Sequence, residues 1–212
     1  MLAGLPEKNP RGLRDNVTRR GANKEMSLLV WVFQDWAVND GYRDSQLILA
    51  WFRLAQRAHS RGGFLPRLFS AFYRLFTSLF LAIEIPAECT VGPRLRIFHP
   101  HSIVLNPGVI LGADCILRQN VTIGNVVRRD GSEKGVASVG DGVEVGAGCV
   151  VVGAIHVGDH ARIAALALVL EDVPIRGVMM GNPARLVRVD NPAIADGMAP
   201  QGSEPARSDS TN

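Results

Sequence analysis

An aliphatic side chain returns every six residues in residues 139–175, VGDGVEVGAGCVVVGAIHVGDHARIAALALVLEDVPI. This position is occupied in turn by Val139, Val145, Val151, Val157, Ile163, Val169 and Ile175, and the same spacing runs upstream from Ile85. A second apolar or small residue stands two positions earlier, as Cys149 does before Val151. Two inward positions per six residues do not fit an α-helix. They predict a mainly β protein, a hexapeptide parallel β-helix whose stacked coils bury each other's aliphatic side chains.

Two interruptions of this repeat are predicted to carry a functional site. The spacing between Ile97 and Leu105 is eight residues, so two extra residues bulge from one coil. The spacing between Ile123 and Val139 is sixteen, so residues 125–138 form an extruded loop. Insertions in solenoids map to loops, and loops on a rigid scaffold are where binding and catalytic residues concentrate.

Residues 27–83 are predicted to be α-helical, with Ser27 as the N-cap of the first helix. The last helical segment places its apolar residues on one broad face: Leu65, Leu68, Phe69, Phe72, Phe76, Leu79, Phe80 and Ile83. We expect that face to be covered by the first coils or by another subunit. The arginines beside it leave contact with a membrane surface as the rival interpretation: Arg57, Arg61, Arg67 and Arg74.

The formal net charge of +3 over 212 residues does not predict nucleic-acid binding. Residues 1–25 hold six basic and three acidic residues and account for the whole excess. The predicted organisation is a disordered basic arm at 1–26, a helical region at 27–83, a β-helix domain at 84–189 with its loop at 125–138, and a disordered tail at 190–212. No secretory signal or membrane-spanning run is visible, so we expect a cytoplasmic protein, at most in contact with the inner membrane face.

His99, in the eight-residue interruption, is the candidate general base. Histidine is the side chain best suited to take a proton near neutral pH. Glu84 precedes it by fifteen residues, slightly less than three hexads, so the two side chains can face each other on adjacent coils. A carboxylate that holds one imidazole nitrogen leaves the other free to deprotonate a hydroxyl. An exposed turn histidine and a glutamate that ends a helix fit the spacing equally well.

The other histidines and the cysteines are weaker candidates. His101 shares the interruption with His99, whereas His156 and His160 fall in regular coils. The spacing of His99, His156 and His160 matches no metal-binding set that we can defend, so no metal is expected. The three cysteines all occupy inward positions of the repeat and are predicted to be buried fillers: Cys89, Cys115 and Cys149.

Four segments together resemble serine acetyltransferases and their relatives in polysaccharide gene clusters, the colanic-acid-type acetyltransferases. They are IEIP at 83–86, LRIFHP at 95–100, LRQNVTIGN at 117–125 and GNPAR at 181–185. The helical start, FQDW at 33–36 followed by Asn39, is similar to the polysaccharide branch. The resemblance spans about residues 30–188. It implies a left-handed β-helix, a homotrimer, and transfer of an acetyl group from acetyl-CoA to a hydroxyl.

The resemblance places the catalytic histidine at His99 and its orienting acid at Glu84, where serine acetyltransferases usually have Asp. We expect acceptor contacts from Asp35, Phe98, His101, Asn106 and Asn120. Contacts with CoA are expected from Asn125, Gly146, Ala147, Ala164, Ala165, Asn182 and Arg185. Small residues let the pantetheine chain lie close to backbone amides, and an arginine suits a phosphate. The turns of the repeat require small residues as well.

Two departures from the serine enzymes change the expected acceptor. Those enzymes have Asp where this chain has Phe98, and an apolar side chain cannot pair with the ammonium group of serine. They also carry a second histidine late in the extruded loop, whereas residues 125–138 contain none. A sugar hydroxyl, on a lipid-linked or nucleotide-linked precursor, is therefore the predicted acceptor. Phe98 is suited to stack on an apolar sugar face or simply to pack.

The predicted reaction is direct attack. His99 takes the hydroxyl proton as that oxygen attacks the thioester, and a hydrogen-bond donor stabilises the oxyanion. A serine acetyltransferase and a non-catalytic trimeric scaffold are the alternatives, although a scaffold predicts a degraded pair where Glu84 and His99 are both present.

Overall fold

The computed structural model describes residues 27–127 and 133–191. The predicted arm at 1–26, the centre of the extruded loop and residues 192–212 of the predicted tail lie outside the described residues. From Ile83 to Val189 the chain winds into a parallel β-solenoid with three faces.

Face 1 contains β1 (Ile83–Glu84), β4 (Ile103–Leu105), β7 (Thr122–Gly124), β12 (Val150–Val152) and β15 (Leu168–Val169). Face 2 contains β2 (Thr90–Val91), β5 (Ile110–Leu111), β10 (Ser138–Val139) and β13 (His156–Val157). Face 3 contains β3 (Arg96–Phe98), β6 (Ile116–Arg118), β11 (Glu144–Val145), β14 (Arg162–Ile163), β16 (Gly177–Gly181) and β17 (Ala184–Val189), the last antiparallel to β16. An antiparallel pair, β8 (Val126–Val127) and β9 (Glu133–Lys134), leaves the solenoid after face 1.

The core of the solenoid consists of the side chains at the two inward positions of the repeat. Matching residues of successive coils pair in register, as Leu111, Val139 and Val157 do on face 2. The predicted inward residues from Ile85 to Val173 are buried. The fold class, a left-handed parallel β-helix with an N-terminal helical region, is thus confirmed.

Ile175 is the exception to this pattern, because it is 54% exposed. Face 2 of the last coil is reduced to a single bridge between Val157 and Val173, and the chain then turns at Pro174 into β16. The prediction that Ile175 lies in the core is therefore wrong, since the repeat ends one position before it.

The three cysteines are buried and unpaired, as predicted. Burial raises the pKa of the Cys89 thiol and of the Cys115 thiol to about 12, and burial also raises the pKa of the Cys149 thiol. Because the thiolate is the nucleophilic form, none of the three is prepared for covalent chemistry at neutral pH.

The helical region contains α1 (Leu28–Val32), a short 3-10 helix (Ala37–Asn39), α2 (Arg43–Arg61) and α3 (Phe64–Leu81). Ser27 caps α1, and its hydroxyl accepts from the backbone N–H of Val30 at 3.4 Å. The sequence pattern placed Ile83 in the last helix, but the structure does not. Ile83 begins β1 and pairs with Ile103 of the next coil.

Side chains of the helical region hydrogen-bond the open edge of the first coil, which has no preceding coil to pair with. Asn39 donates to the carbonyl of Leu95 at 2.9 Å and accepts from the N–H of Ile97 at 3.0 Å. Ser45 donates to the carbonyl of Ile97 at 2.8 Å. Arg53 is fully buried and donates to the carbonyls of Val91 and Gly92. These side chains replace the backbone partners that an unpaired strand edge lacks.

The apolar face of α3 is largely exposed in the protomer. Phe64 is 79% exposed, Phe80 is 71% exposed, and Leu65, Leu68, Phe72 and Leu79 are exposed as well. Only Tyr73 and Thr77 of this helix are buried. The expectation that the first coils of the same chain cover this face is therefore wrong, because the face is packed only in part, through Phe72 and Phe76 against Trp51 of α2.

Candidate active site

One edge of the solenoid brings together half of the predicted site residues. The turns that lead from face 3 of one coil to face 1 of the next stack above each other, and we call this column the histidine corner: residues 99–102, 119–121, 146–149 and 164–167. Backbone hydrogen bonds join the turns of successive coils, which we call levels. The N–H of Asn120 donates to the carbonyl of His101 at 3.0 Å, and the N–H of Leu166 donates to the carbonyl of Ala147 at 2.9 Å. His99 lies at the first level, next to the helical region.

His99 is exposed to solvent in this turn. Its backbone φ is +55°, and Ser102 of the same turn has φ of +52°, at the position that Asn120 and Leu166 occupy in later coils with φ of +59° and +61°. Its ring contacts that of Tyr42 edge to face, with centroids 6.1 Å apart. The imidazole makes no side-chain hydrogen bond to any residue that the structure describes, so it is accessible to a substrate.

Glu84 does not contact His99 in this structure. Its carboxylate, half-buried on β1, accepts a hydrogen bond from the hydroxyl of Ser78 at 3.2 Å. No ion pair within 4.0 Å joins the Glu84 carboxylate and the His99 imidazole in the described part of the chain. The role of Glu84 as the orienting acid stays a prediction.

Two arginines flank Phe98, and the sequence analysis did not identify them. The guanidinium carbon of Arg96 lies 4.4 Å from the ring centroid of Phe98, and that of Arg118 lies 4.8 Å from it. Tyr42 meets the same ring edge to face at 5.1 Å. Guanidinium groups over an aromatic face are favourable cation–π contacts. The expected stacking of Phe98 on a sugar is therefore corrected, because arginines already cover the ring.

Asp35 is not available to a substrate. It is 2% exposed and forms a bidentate ion pair with the buried guanidinium of Arg53, at 2.7 and 3.1 Å. Its Oδ1 also accepts from the N–H of Leu95 at 2.9 Å. The expectation that Asp35 binds the acceptor is therefore corrected, because all of its contacts hold the helical region onto the first coil.

Asn106 and Asn125 lie on a different edge, where face 1 turns into face 2. The amide of Asn106 donates to the side-chain oxygen of Asn125 at 2.5 Å. This edge and the histidine corner stand at the two ends of face 1. Within one protomer, the structure therefore does not bring these two asparagines to His99, whereas His101 and Asn120 share its corner.

The small residues predicted to contact CoA lie on the lower levels of the histidine corner. Gly146 is packed so closely that an added Cβ would stand 2.6 Å from the backbone nitrogen of Ala165. The repeat itself therefore requires glycine there. Ala164 is half-buried and Ala165 is exposed. Asn182 and Arg185 follow at the end of face 3, both exposed, with the guanidinium of Arg185 3.8 Å from the Glu171 carboxylate.

No group of three or more histidine, cysteine or acidic side chains able to hold a metal occurs in residues 27–127 and 133–191. The same ranges contain no helix long and apolar enough to span a bilayer.

A parallel β-helix with an exposed histidine at the head of a corner of small residues is the architecture of a hexapeptide-repeat acyltransferase. No protein-family model matches the chain. WcaB of Escherichia coli K12, a colanic acid biosynthesis acetyltransferase by its name, is 36% identical over 114 residues, which are 54% of this chain and 68% of WcaB. A serine acetyltransferase of Helicobacter pylori 26695 is 34% identical over 140 residues, 66% of this chain and 78% of that protein.

The solved structures show the same fold. A serine acetyltransferase of Neisseria gonorrhoeae superposes with a TM-score of 0.70 at 21% identity, over 88% of this chain and 75% of that one. The soybean apoenzyme gives 0.66 at 23% identity, over 81% and 74%. This chain belongs to the acetyltransferase family that contains WcaB and the serine acetyltransferases.

Proposed function

We propose that this protein is an O-acetyltransferase that transfers the acetyl group of acetyl-CoA to a hydroxyl of a sugar or polysaccharide precursor, with His99 as general base. The observation that carries this proposal is the exposed, unpartnered imidazole of His99 at the head of a corner whose lower levels present small residues.

Acetyl-CoA is the proposed donor because the family is one of acetyltransferases and one solved relative with this fold is a serine acetyltransferase in complex with CoA. Gly146, Ala147, Ala164 and Ala165 give the corner a low profile against which the pantetheine arm can lie. Asn125, on the other edge, would reach the donor only from a neighbouring protomer.

His99 would take the proton of the acceptor hydroxyl as its oxygen attacks the thioester carbonyl, forming a tetrahedral oxyanion. Collapse of that intermediate breaks the C–S bond, and the CoA thiolate leaves and recovers a proton from the imidazolium. No thiol of the described residues is suited to carry the acetyl group, since burial raises the pKa of all three.

A sugar hydroxyl is favoured over serine as the acceptor. Serine needs anionic groups for its ammonium, whereas the His99 ring contacts Tyr42, and the neighbouring Phe98 ring contacts two arginines. WcaB carries a name in polysaccharide biosynthesis. Serine acetylation is the second candidate, because the relative from Helicobacter pylori and the two solved structures described above are named serine acetyltransferases.

The test is thiol release from acetyl-CoA with L-serine on one side and sugars, sugar phosphates and nucleotide sugars on the other. We expect turnover with a sugar compound, reduced about 10²–10⁴-fold in His99→Ala, the usual range for loss of a general base. His160→Ala is the matched control, since His160 is also an exposed turn histidine with φ of +57° but lies on another edge. Full activity of His99→Ala would refute the base, and faster turnover with serine would refute the sugar. No turnover with any acceptor would favour the scaffold.

The proposed part of Glu84 needs a separate test. If its carboxylate turns from Ser78 to His99 in the catalytic complex, Glu84→Gln lowers kcat in the wild-type background. It should then have little further effect in His99→Ala, because residues that act as a unit are not additive. Ser78→Ala should leave kcat near the wild-type value. Equal losses from Glu84→Gln in both backgrounds would show that Glu84 acts on the fold alone.

A homotrimer is part of the proposal. The predicted site residues divide between the histidine corner and the edge with Asn106 and Asn125, and these two edges of a prism can meet only across a contact between copies. Light scattering coupled to gel filtration should give three times the chain mass. A monomer with full activity would show that one histidine corner suffices.

Contact with an anionic membrane surface is the remaining part of the proposal. No acidic residue occurs between Asp44 and Glu84, while exposed arginines follow the apolar face of α3: Arg57, Arg61, Arg67 and Arg74. An isologous contact between two such faces would bring like charges together without an acid to pair them. Apolar side chains bordered by arginines instead fit the headgroup region of anionic lipid.

Co-sedimentation with vesicles containing phosphatidylglycerol tests this contact, with phosphatidylcholine vesicles as the reference. Arg67→Gln/Arg74→Gln should weaken binding to anionic vesicles about tenfold or more. Arg162→Gln/Arg188→Gln, an equal charge change on the solenoid, should not. Phe64→Ser/Phe80→Ser should weaken binding to both vesicles. Wild-type protein that stays in the supernatant would refute the contact, and variants that alter the oligomer would assign the face to another subunit.

A further inference from the structure

The two arginines over Phe98 form a cationic cluster that adjoins His99. Arg96 and Phe98 lie on β3, and Arg118 of β6 is the register partner of Phe98 in the next coil. Phe98 and His99 are consecutive, and the ring of Tyr42 contacts both of their rings, at 5.1 and 6.1 Å. A molecule that presents a hydroxyl to His99 is therefore within reach of both guanidinium groups.

Neither arginine has an acidic partner in the described part of the chain. Other arginines of the protein do, as the pairs Arg94–Asp114, Arg162–Glu144 and Arg188–Asp190 show. The Nε of Arg96 is buried and makes no hydrogen bond to any described residue. Buried donors are normally satisfied, so an unsatisfied guanidinium nitrogen, beside a ring that a second guanidinium also contacts, favours an anionic ligand.

Phe98 explains how the two guanidinium groups are held. The guanidinium carbons of both arginines lie close to the centroid of its ring, at 4.4 and 4.8 Å, so the ring fixes both groups beside it. A planar array of N–H donors fits the oxygens of a phosphate better than a single ammonium would.

We infer that Arg96 and Arg118 bind a phosphate group of the acceptor, so that the substrate class is a phosphorylated sugar and not a free one. This inference rests on the proposed function. The phosphates of acetyl-CoA do not fit this place, because they lie at the far end of the pantetheine arm from the thioester, and the thioester must be at His99. A phosphate near the reacting sugar is found in nucleotide-linked and in lipid diphosphate-linked precursors.

The experiment compares kcat and KM for a free sugar, its 1-phosphate, its nucleoside diphosphate form and a short polyprenyl diphosphate form. The wild type should favour the phosphorylated acceptors, and the acceptor it prefers identifies whether the phosphate belongs to a sugar phosphate, a nucleotide sugar or a lipid-linked sugar. Arg96→Gln and Arg118→Gln should each raise the KM for that acceptor about 10- to 100-fold, the loss expected for a charge-assisted contact. The KM for acetyl-CoA should not change.

Arg162→Gln is the matched control, since Arg162 lies on the same face and row as Arg96, three coils further on, and is paired with Glu144. It should leave all constants near the wild-type values. An equal loss with the free sugar would overturn the inference and make the arginines structural. A raised KM for acetyl-CoA in the Arg96 or Arg118 variants would show that these arginines bind a phosphate of the donor. A changed oligomeric state in these variants would show that they bind a carboxylate of a neighbouring copy.

Direct binding separates this inference from the proposed function. Calorimetry with the sugar 1-phosphate should show binding to His99→Ala, which lacks the base, and loss of binding in Arg96→Gln/Arg118→Gln. Binding without acetyl transfer in the wild type would sink the proposed reaction and leave the anion site standing. No difference in binding between the arginine variant and the wild type would sink the anion site, whatever the activity.

Discussion

The solenoid and the helical region both provide hydrogen-bond partners for the backbone of a coil, the first with backbone groups and the second with polar side chains. Within the solenoid, each coil offers its backbone to the next, and the interior is filled by apolar side chains such as Leu117 and Val139. The first coil has no earlier neighbour, and polar side chains of the helical region take that place: Asp35, Asn39, Ser45 and Arg53. Coils of a repeat thus pair each other's backbone N–H and C=O groups everywhere except at the end, where specific side chains must replace the missing backbone partners.

The largest effect should come from breaking the buried ion pair at this end. Arg53→Met leaves the Asp35 carboxylate buried without a compensating positive charge, and we expect a loss of about 3–5 kcal/mol in the free energy of unfolding. Urea unfolding followed by circular dichroism measures it. The double variant Asp35→Leu/Arg53→Met removes both charges and should recover only part of the loss, because the N–H of Leu95 and the carbonyls of Val91 and Gly92 remain unpaired. Complete recovery would show that these hydrogen bonds contribute little.

A cavity in the solenoid should cost slightly less. Leu117 is fully buried in the second coil, and Leu117→Ala should lower the free energy of unfolding by about 2–5 kcal/mol. Leu186→Ala is a control of equal size at an exposed position of β17. Similar losses in the two variants would mean that the stacked interior is not what holds the coils together.

Loss of a single side chain that substitutes for backbone partners should have an intermediate effect. Asn39→Ala leaves the N–H of Ile97 and the carbonyl of Leu95 unpaired, and we expect a loss of about 1–3 kcal/mol. Asn106→Ala removes an asparagine hydrogen bond on a half-buried turn of the solenoid and should cost less. Hydrogen exchange should locate the first loss at the amides of β3. A larger loss from Asn106→Ala would reverse the comparison.

The smallest loss of stability should come from removing one methyl group from the core, and it should be the same in the first and the fourth coil. Ile97 lies in the first coil and Ile163 in the fourth, and both are buried. Ile97→Val and Ile163→Val should each cost about 0.5–1.5 kcal/mol in unfolding experiments. A clearly greater loss for Ile97 would show that the polar contacts of the helical region also tighten the apolar packing beneath them.

The periodic part of the fold could be predicted from the sequence because its interactions repeat at a fixed spacing. Ile175 was misplaced because the spacing continues for one position beyond the last stacked coil. Asp35 and Arg53 could not be paired in advance, since they are eighteen residues apart in an aperiodic region. The amphipathic pattern of α3 predicted an apolar face correctly but contained nothing about what lies against it.

The site was partly predictable for the same reason. His99 was found because it interrupts the repeat. Arg96 and Arg118 were missed because outward-facing arginines on a strand ordinarily bind solvent. Counting one coil from Phe98 would have placed Arg118 beside it, since the coil with the interruption is twenty residues long. The absence of a contact between Glu84 and His99 could not be foreseen, because Ser78 competes for the carboxylate from a helix.

The histidine corner has a consequence for length. Its levels are stacked by parallel strand pairing, which sets a rise of about 4.8 Å per coil, so the level with Ala164 stands about 14 Å from that of His99. The number of coils therefore fixes the distance between the acetyl end and the far end of the bound donor. A coil added or removed between these levels would change that distance by about 4.8 Å, whereas no point substitution can change it by a fraction of a coil.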